Sequence, residues 1–168
     1  MNPHDLDTAI ATNPFLLGMS DRHVRLLAGC ANRIHFDEGH LIFREGETAN
    51  RFYLIEAGTV QLEATAGADG RAILVDAIGS GELLGWSWLF APYEWQFTAC
   101  ALTEIEAIFF YGTVLREYCE TDPSLGFELF KRMSEVMIKR LQSTRARLVK
   151  AESGFSLIGA EHAIGSGA

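Results

Sequence analysis

Between Ala72 and Leu115 the chain contains no lysine, arginine or histidine. A phosphate bound by that stretch would meet only backbone N–H groups, with no cationic side chain to neutralise it. Cysteine is also scarce. Cys30, Cys100 and Cys119 are odd in number and far apart, which excludes a disulfide framework, and no CxxC pair suggests zinc or dithiol chemistry. No apolar run reaches the ~20 residues of a membrane span, so no membrane is expected as a partner. The opening MNPHDLDTAI is acidic and lacks a secretory n-region, so the cytoplasm is the expected compartment. No serine or cysteine stands in a nucleophile-elbow pattern, and no separated acid pair flanks a cleft motif. No catalytic residue is expected.

What is present suits one domain. The 168 residues are 48% hydrophobic and 21% charged, ordinary values for a chain that buries a core. The net charge of −8 is unevenly spread. Residues 1–122 hold 7 basic and 18 acidic side chains, whereas residues 123–150 hold 7 basic and 2 acidic ones. An acidic body argues against nucleic acid as partner. The basic segment is either a solvated helix face or a dock for an acidic protein.

Asp5–Thr12 and Ser20–Cys30 read as helices, with Ser20 a candidate N-cap and Asn13-Pro14 the break between them. From Ala31 the apolar period changes to two. Short runs at 33–36, 41–43, 52–55, 59–65, 72–78, 95–102 and 105–111 read as strands, and a hairpin loop is expected at 67–70. Glycine at the corners points to a sandwich or barrel. Val114–Cys119 reads as a short helix. Asp122-Pro123 then opens a long one, with Asp at the cap and Pro at N1. Leu125, Leu129, Met133, Val136, Met137, Leu141 and Leu148 form a near-heptad stripe on it. The helix is longer than one small barrel can cover, so the stripe is expected to meet a twin helix. The candidate dimer contacts are Leu129, Met133, Val136, Met137, Leu141 and Leu148.

The rest of the chain serves Gly79–Ala101, GSGELLGWSWLFAPYEWQFTACA. A glycine-bounded turn carries Glu82 into an expected short helix, where N–H groups and one carboxylate can meet a sugar-phosphate ligand. Gly79-Ser80-Gly81-Glu82 is not a dinucleotide fingerprint, because the third glycine and the strand–helix–strand setting are missing.

The spacing F-DEG-HLIFREG-ETANRFYLIEAG-TV resembles the cyclic nucleotide-binding domain of the Crp/Fnr type. Phe36, Gly39, Gly46, Glu47, Phe52, Tyr53, Ile55, Gly58 and Val60 fall in place, and Gly81-Glu82-Leu83 looks like the start of the family's phosphate-binding cassette. The resemblance implies a mainly β fold, an eight-stranded jelly-roll barrel. It places N-terminal helices at 1–30, the barrel at 31–121 and a long dimerisation helix at 122–152, and the glycine, alanine and serine that follow read as a flexible tail at 153–168. It further implies that Gly-Glu-Leu opens a cassette helix. Glu82 would take the ribose 2′-OH, and an arginine before the next strand would clamp the cyclic phosphate.

That arginine position falls at Glu94 or Trp95, and neither can do the job. At ~4 Å and an effective dielectric of about 20, exchanging attraction for repulsion costs several kcal/mol, and the bidentate hydrogen bonds are lost as well. No ordinary cyclic AMP or cyclic GMP binding is expected. The candidate contacts of this degenerate site are Gly81, Glu82, Leu83, Trp95, Gln96 and Thr98. Glu82 has two readings, a ribose ligand or a cap for the helix it precedes. Trp86, Trp88 and Trp95, with Tyr93 and Phe97, are expected in core or interface rather than stacked on a purine.

Crp/Fnr transcription factors continue into a winged helix-turn-helix. The 18 acidic-leaning residues after Lys150 are too few for one, so no DNA partner is expected. The wording LLGWSWLFAPYEWQF is similar to a branch of stand-alone relatives, and within it to the small Crp-like subunit of NAD-reducing soluble [NiFe] hydrogenases. That resemblance implies a non-catalytic accessory subunit, dimeric, on the diaphorase side, with a link to NADPH. The alternative is a free-standing small-molecule sensor with a changed ligand. No cofactor is expected as resident. NADPH, if bound, would draw on Arg44, Arg51, Arg71 or the basic helix. His35, His40, Asp37 and Glu38 lie around one turn without an HxH pair and read as a solvated turn, so no metal is expected.

Overall fold

The computed structural model describes residues 3–66 and 70–163, with side chains for 5–66 and 70–152. Most of the expected hairpin loop at 67–70 falls outside the described residues. Two helices lead, α1 (Pro3–Thr12) and α2 (Asp21–Ala28). The Ser20 side chain caps α2 by accepting the His23 N–H at 3.3 Å. Between the helices, Asn13 accepts the Phe15 N–H and turns the chain at Pro14.

Eight strands follow: β1 (Ala31–Phe36), β2 (Leu41–Phe43), β3 (Arg51–Ala57), β4 (Val60–Ala66), β5 (Arg71–Ile78), β6 (Leu83–Leu84), β7 (Thr98–Ala101) and β8 (Ile105–Tyr111). They form two antiparallel four-stranded sheets, ordered β1-β8-β3-β6 and β2-β7-β4-β5. This is the expected jelly roll. Then come α3 (Gly112–Thr121) and α4 (Pro123–Ala163).

The alternation of each strand builds the core. Tyr53 and Ile55 of β3 face the space between the sheets, together with Phe43, Val60, Leu62, Trp95 and Phe109. Phe52, on the opposite face of β3, stacks on its register partner Phe110 at 4.4 Å and on Trp88 at 5.4 Å. β3 is thus buried on both faces, and each such side chain contributes about 1.5–3 kcal/mol by leaving water.

Two boundaries differ from the sequence reading by three residues or more. The strand expected at 95–102 starts only at Thr98, because the Trp95 backbone bonds elsewhere: its N–H donates to Glu47 O and its carbonyl accepts from Gly46 N–H. The long helix does not stop at 152 but runs to Ala163. No proline interrupts residues 153–163, and Ala, Leu, Ile and Glu sustain a helix across the two glycines there. Of the expected tail, residues 164–168 lie outside the described residues.

The chain divides into two compact units, 1–129 and 130–168. α4 begins in the first, where Asp122 Oδ1 accepts the N–H groups of Ser124 and Leu125 and Oδ2 pairs with Arg22 of α2 at 2.8 Å. Leu129 and Met133, expected at a dimer seam, are fully buried. They continue the row of Leu125 at four-residue steps. Val136 and Met137 are half-buried, and Leu141 and Leu148 are exposed.

Candidate functional site

The Gly79–Glu82 turn is closed by its own carboxylate. Glu82 Oε2 accepts the Gly79 N–H at 2.7 Å, and Ser80 Oγ donates to Glu56 O at 2.7 Å. Gly81, at φ +82, donates to Ile55 O, and Glu82 O accepts from Ile55 N–H. This pairing draws the next residues into the sheet as β6, with Leu83 and Leu84 opposite Leu54 and Tyr53. The cassette helix expected at Gly-Glu-Leu is therefore absent from this point. A three-residue 3₁₀ turn, Ser87–Leu89, comes later, after Gly85 at φ +86 has redirected the chain. Glu82 precedes a strand, which removes the reading of it as a helix cap.

Trp95 is one of the two residues, with Glu94, at which the resemblance puts the clamping arginine. It is 5% exposed and stacks on Phe43 with ring centroids 3.8 Å apart and planes 10° apart. Its other neighbour is Gly85, where an added Cβ would come within 2.6 Å of the indole. Gly85 thus brings the Glu82 segment and Trp95 together. Of the remaining expected contacts, Leu83 is buried, Gln96 is exposed with its amide on Glu94 O, and Thr98 Oγ1 accepts the Glu45 N–H. Glu94 is exposed and forms an isolated bridge with Thr48. Trp88 is fully buried and joins Trp95 in the core, while Trp86 is half-buried.

Sequence reasoning missed Arg116. It reaches back from α3, donates to Trp88 O and lies 4.4 Å from the Tyr93 ring, pinning the loop in which Tyr93 takes φ 60 and Ala91-Pro92 is cis. The only signal was that it is the first cation after the long cation-free stretch. Of the arginines considered for a nucleotide, Arg51 lies over the rings of Phe109 and Tyr111, while Arg44 and Arg71 are exposed. His40 stacks on Phe36, away from His35. The thiols offer no ready nucleophile. Burial pushes Cys30 up to about 12 and raises Cys100 and Cys119 as well. A concavity of about 370 Å³ lies apart from the cassette, lined by Ser20, His23, Ser124 and Phe127 among others.

A jelly roll flanked by helices carries a glycine-turned cassette between its fifth and seventh strands. The chain matches the cyclic nucleotide-binding domain family over residues 33–122, and it belongs to that family of regulators and sensors. It is 27% identical over 143 residues to a CRP-like cAMP-activated global transcriptional regulator of Mycobacterium tuberculosis, covering 85% of this chain and 62% of the relative. It is 24% identical over 143 residues to the nitrogen fixation regulation protein FixK of Bradyrhizobium diazoefficiens, covering 85% of this chain and 57% of that one. The chain thus spans about three fifths of the length of these curated relatives. In fold it is similar to a cyclic nucleotide-binding domain from Methylobacillus flagellatus KT, with TM-score 0.73 and 15% identity, covering 89% of this chain and 83% of the other. Among the described residues, no helix is long and apolar enough to cross a membrane.

Proposed function

We propose that this chain is a non-catalytic regulatory module whose cyclic nucleotide-type site no longer takes the ordinary cyclic phosphate. Glu94 and Trp95, the two residues on which the arginine position falls, carry this reading. The first is an exposed carboxylate that would repel a phosphate, and the second is an uncharged indole, stacked on Phe43, that offers no charge and no bidentate donor. The cation-free stretch from Ala72 to Leu115 and the engagement of Glu82 with Gly79 support it. The module pairs with a second copy through α4 and docks on a larger redox enzyme. The cassette wording supports an NAD-reducing [NiFe] hydrogenase, on its diaphorase side and with a link to NADPH use, as that enzyme.

Thermal unfolding with cyclic AMP and cyclic GMP tests the site. A ligand at ~100 times its dissociation constant adds about 2.7 kcal/mol, enough to move the midpoint by several degrees. The expected result is no shift with either nucleotide, and a shift at micromolar affinity overturns the reading. Affinity purification of the tagged protein from its own host tests the docking. Stoichiometric redox-enzyme subunits are expected, and recovery of the protein alone as a dimer refutes that part.

A further inference from the structure

We propose that Arg51 anchors a binding site for a small aromatic monocarboxylate at the end of the barrel, beside the cassette. The site rests on the reading above, that ordinary cyclic phosphates are no longer taken, and a carboxylate takes their place. Arg51 opens β3 opposite Tyr111 of β8, and Tyr53 lies opposite Phe109 two residues on. Side chains two apart share a face, so Arg51 belongs to the inner face of the sheet with Tyr53 and Phe109. On its other side, β3 pairs with β6 only as far as Tyr53 opposite Leu84. Gly85 then turns the cassette away at φ +86, and an added Cβ there would stand 3.7 Å from Arg51 O. The cassette has no cation of its own, and β3 sets one against it.

The surroundings of the guanidinium single it out. Its Cζ lies 4.7 Å from the centre of the Phe109 ring and 5.4 Å from that of Tyr111, and these two rings meet at 83°. Arg51 thus sits in a corner of two near-perpendicular rings. The Tyr53 hydroxyl is its third neighbour. Burial raises that phenol above its ordinary range, and the Arg51 charge beside it opposes the rise. Among the described residues no carboxylate pairs with Arg51, although residues 1–122 hold 18 acidic side chains. Arg33, by contrast, pairs with both Asp5 and Glu56. Arg51 is half-buried, and the rings that cover its faces leave its in-plane N–H fork to a partner from outside.

The class of ligand follows from that fork and its setting. A carboxylate meets a guanidinium with two parallel hydrogen bonds. A single cation, with no Lys, Arg or His between Ala72 and Leu115 to join it, matches a single negative charge. The acidic body repels a doubly charged phosphate monoester more strongly than a monoanion. Tyr111 is 40% exposed, and with Phe109 and Tyr53 it offers aromatic contact to a flat apolar body carrying the carboxylate. Along the chain Arg51 stands well before the cassette, and only the β3–β8 register and the Gly85 turn bring it there.

Calorimetric titration of the full chain with sodium benzoate tests the site. Saturable binding of one benzoate per chain is expected, with inorganic phosphate clearly weaker. Arg51→Gln should weaken benzoate binding roughly tenfold or more, the loss of a charge-assisted bidentate pair. Arg51→Lys should weaken it too, because an ammonium keeps the charge but not the fork. Arg44→Gln, an exposed arginine elsewhere, should bind as the parent does. Urea denaturation shows that each variant is folded, and Arg51→Lys carries the test should Arg51→Gln not fold. Absence of saturable benzoate binding into the millimolar range overturns the proposal, as does binding that both Arg51 variants leave unchanged. Phosphate bound as tightly as benzoate overturns the carboxylate assignment. Binding of cyclic AMP in the same titration would overturn the reading beneath the site, whereas failure of benzoate alone leaves that reading standing.

Discussion

Trp95 is held by its backbone on both sides and by its ring on two. Its peptide is hydrogen-bonded to Gly46 and Glu47, and its indole lies between Phe43 and Gly85. Trp95→Ala should lower the unfolding free energy by about 3–5 kcal/mol, the usual cost of truncating a buried tryptophan, as read by urea denaturation. Gly85→Ala should destabilise by more than about 1 kcal/mol, from the positive φ and from the clash with the indole. In a Trp95→Ala background only the backbone strain remains, so the two effects should not add. Additive effects would show that Gly85 and Trp95 are not coupled. Glu82→Ala removes the acceptor of the Gly79 N–H and should cost about 1 kcal/mol by the same measurement.

At the scale of elements, the junction of α3 and α4 is the place where pH should act. Asp122 lies below the usual carboxylate range, chiefly because the Ser124 side chain hydrogen-bonds it, aided by the Leu125 N–H, Arg22 and His23. A carboxylate depressed in the folded state stabilises above its unfolded value, and that stability is lost as pH falls through the folded value. The wild type should exceed Asp122→Asn in stability at neutral pH. The difference should shrink as the pH drops below the ordinary value of 3.8. Urea titrations of both proteins at neutral and acid pH give the comparison, and a constant difference would refute the cap's role.

On the scale of the whole molecule, α4 separates two duties by the direction of its side chains. Leu125, Leu129 and Met133 are buried, while Phe130, Leu141 and Leu148 are exposed. The positions 130, 134, 137, 141, 144 and 148 alternate steps of four and three, the spacing of a coiled-coil seam. Leu141 is 70% exposed, so Leu141→Asp should change the stability of a single chain by no more than about 0.5 kcal/mol. It should nonetheless convert a dimer into a monomer by sizing with light scattering. A dimer that survives Leu141→Asp would place the self-association elsewhere.

The sequence by itself determined seven of the eight strands, their glycine corners, the Ser20 and Asp122 caps and the family frame. Each of these is set by short-range chemistry: an alternation of two, a residue that tolerates positive φ, or a side chain that bonds an N–H two or three residues on. The cation-free cassette was legible for the same reason, since it needs only a count along the chain. Only the tertiary structure decided the rest. Glu82 leads into β6 and not a helix, because Ile55 of β3 supplies its backbone partner. Leu129 is buried while Leu141 is exposed. Arg116 pins the Trp88–Tyr93 loop, and Glu106 of β8 meets His35 of β1. Each of these depends on residues far apart in the chain that meet through sheet register and helix packing, and no periodicity within one segment carries that information.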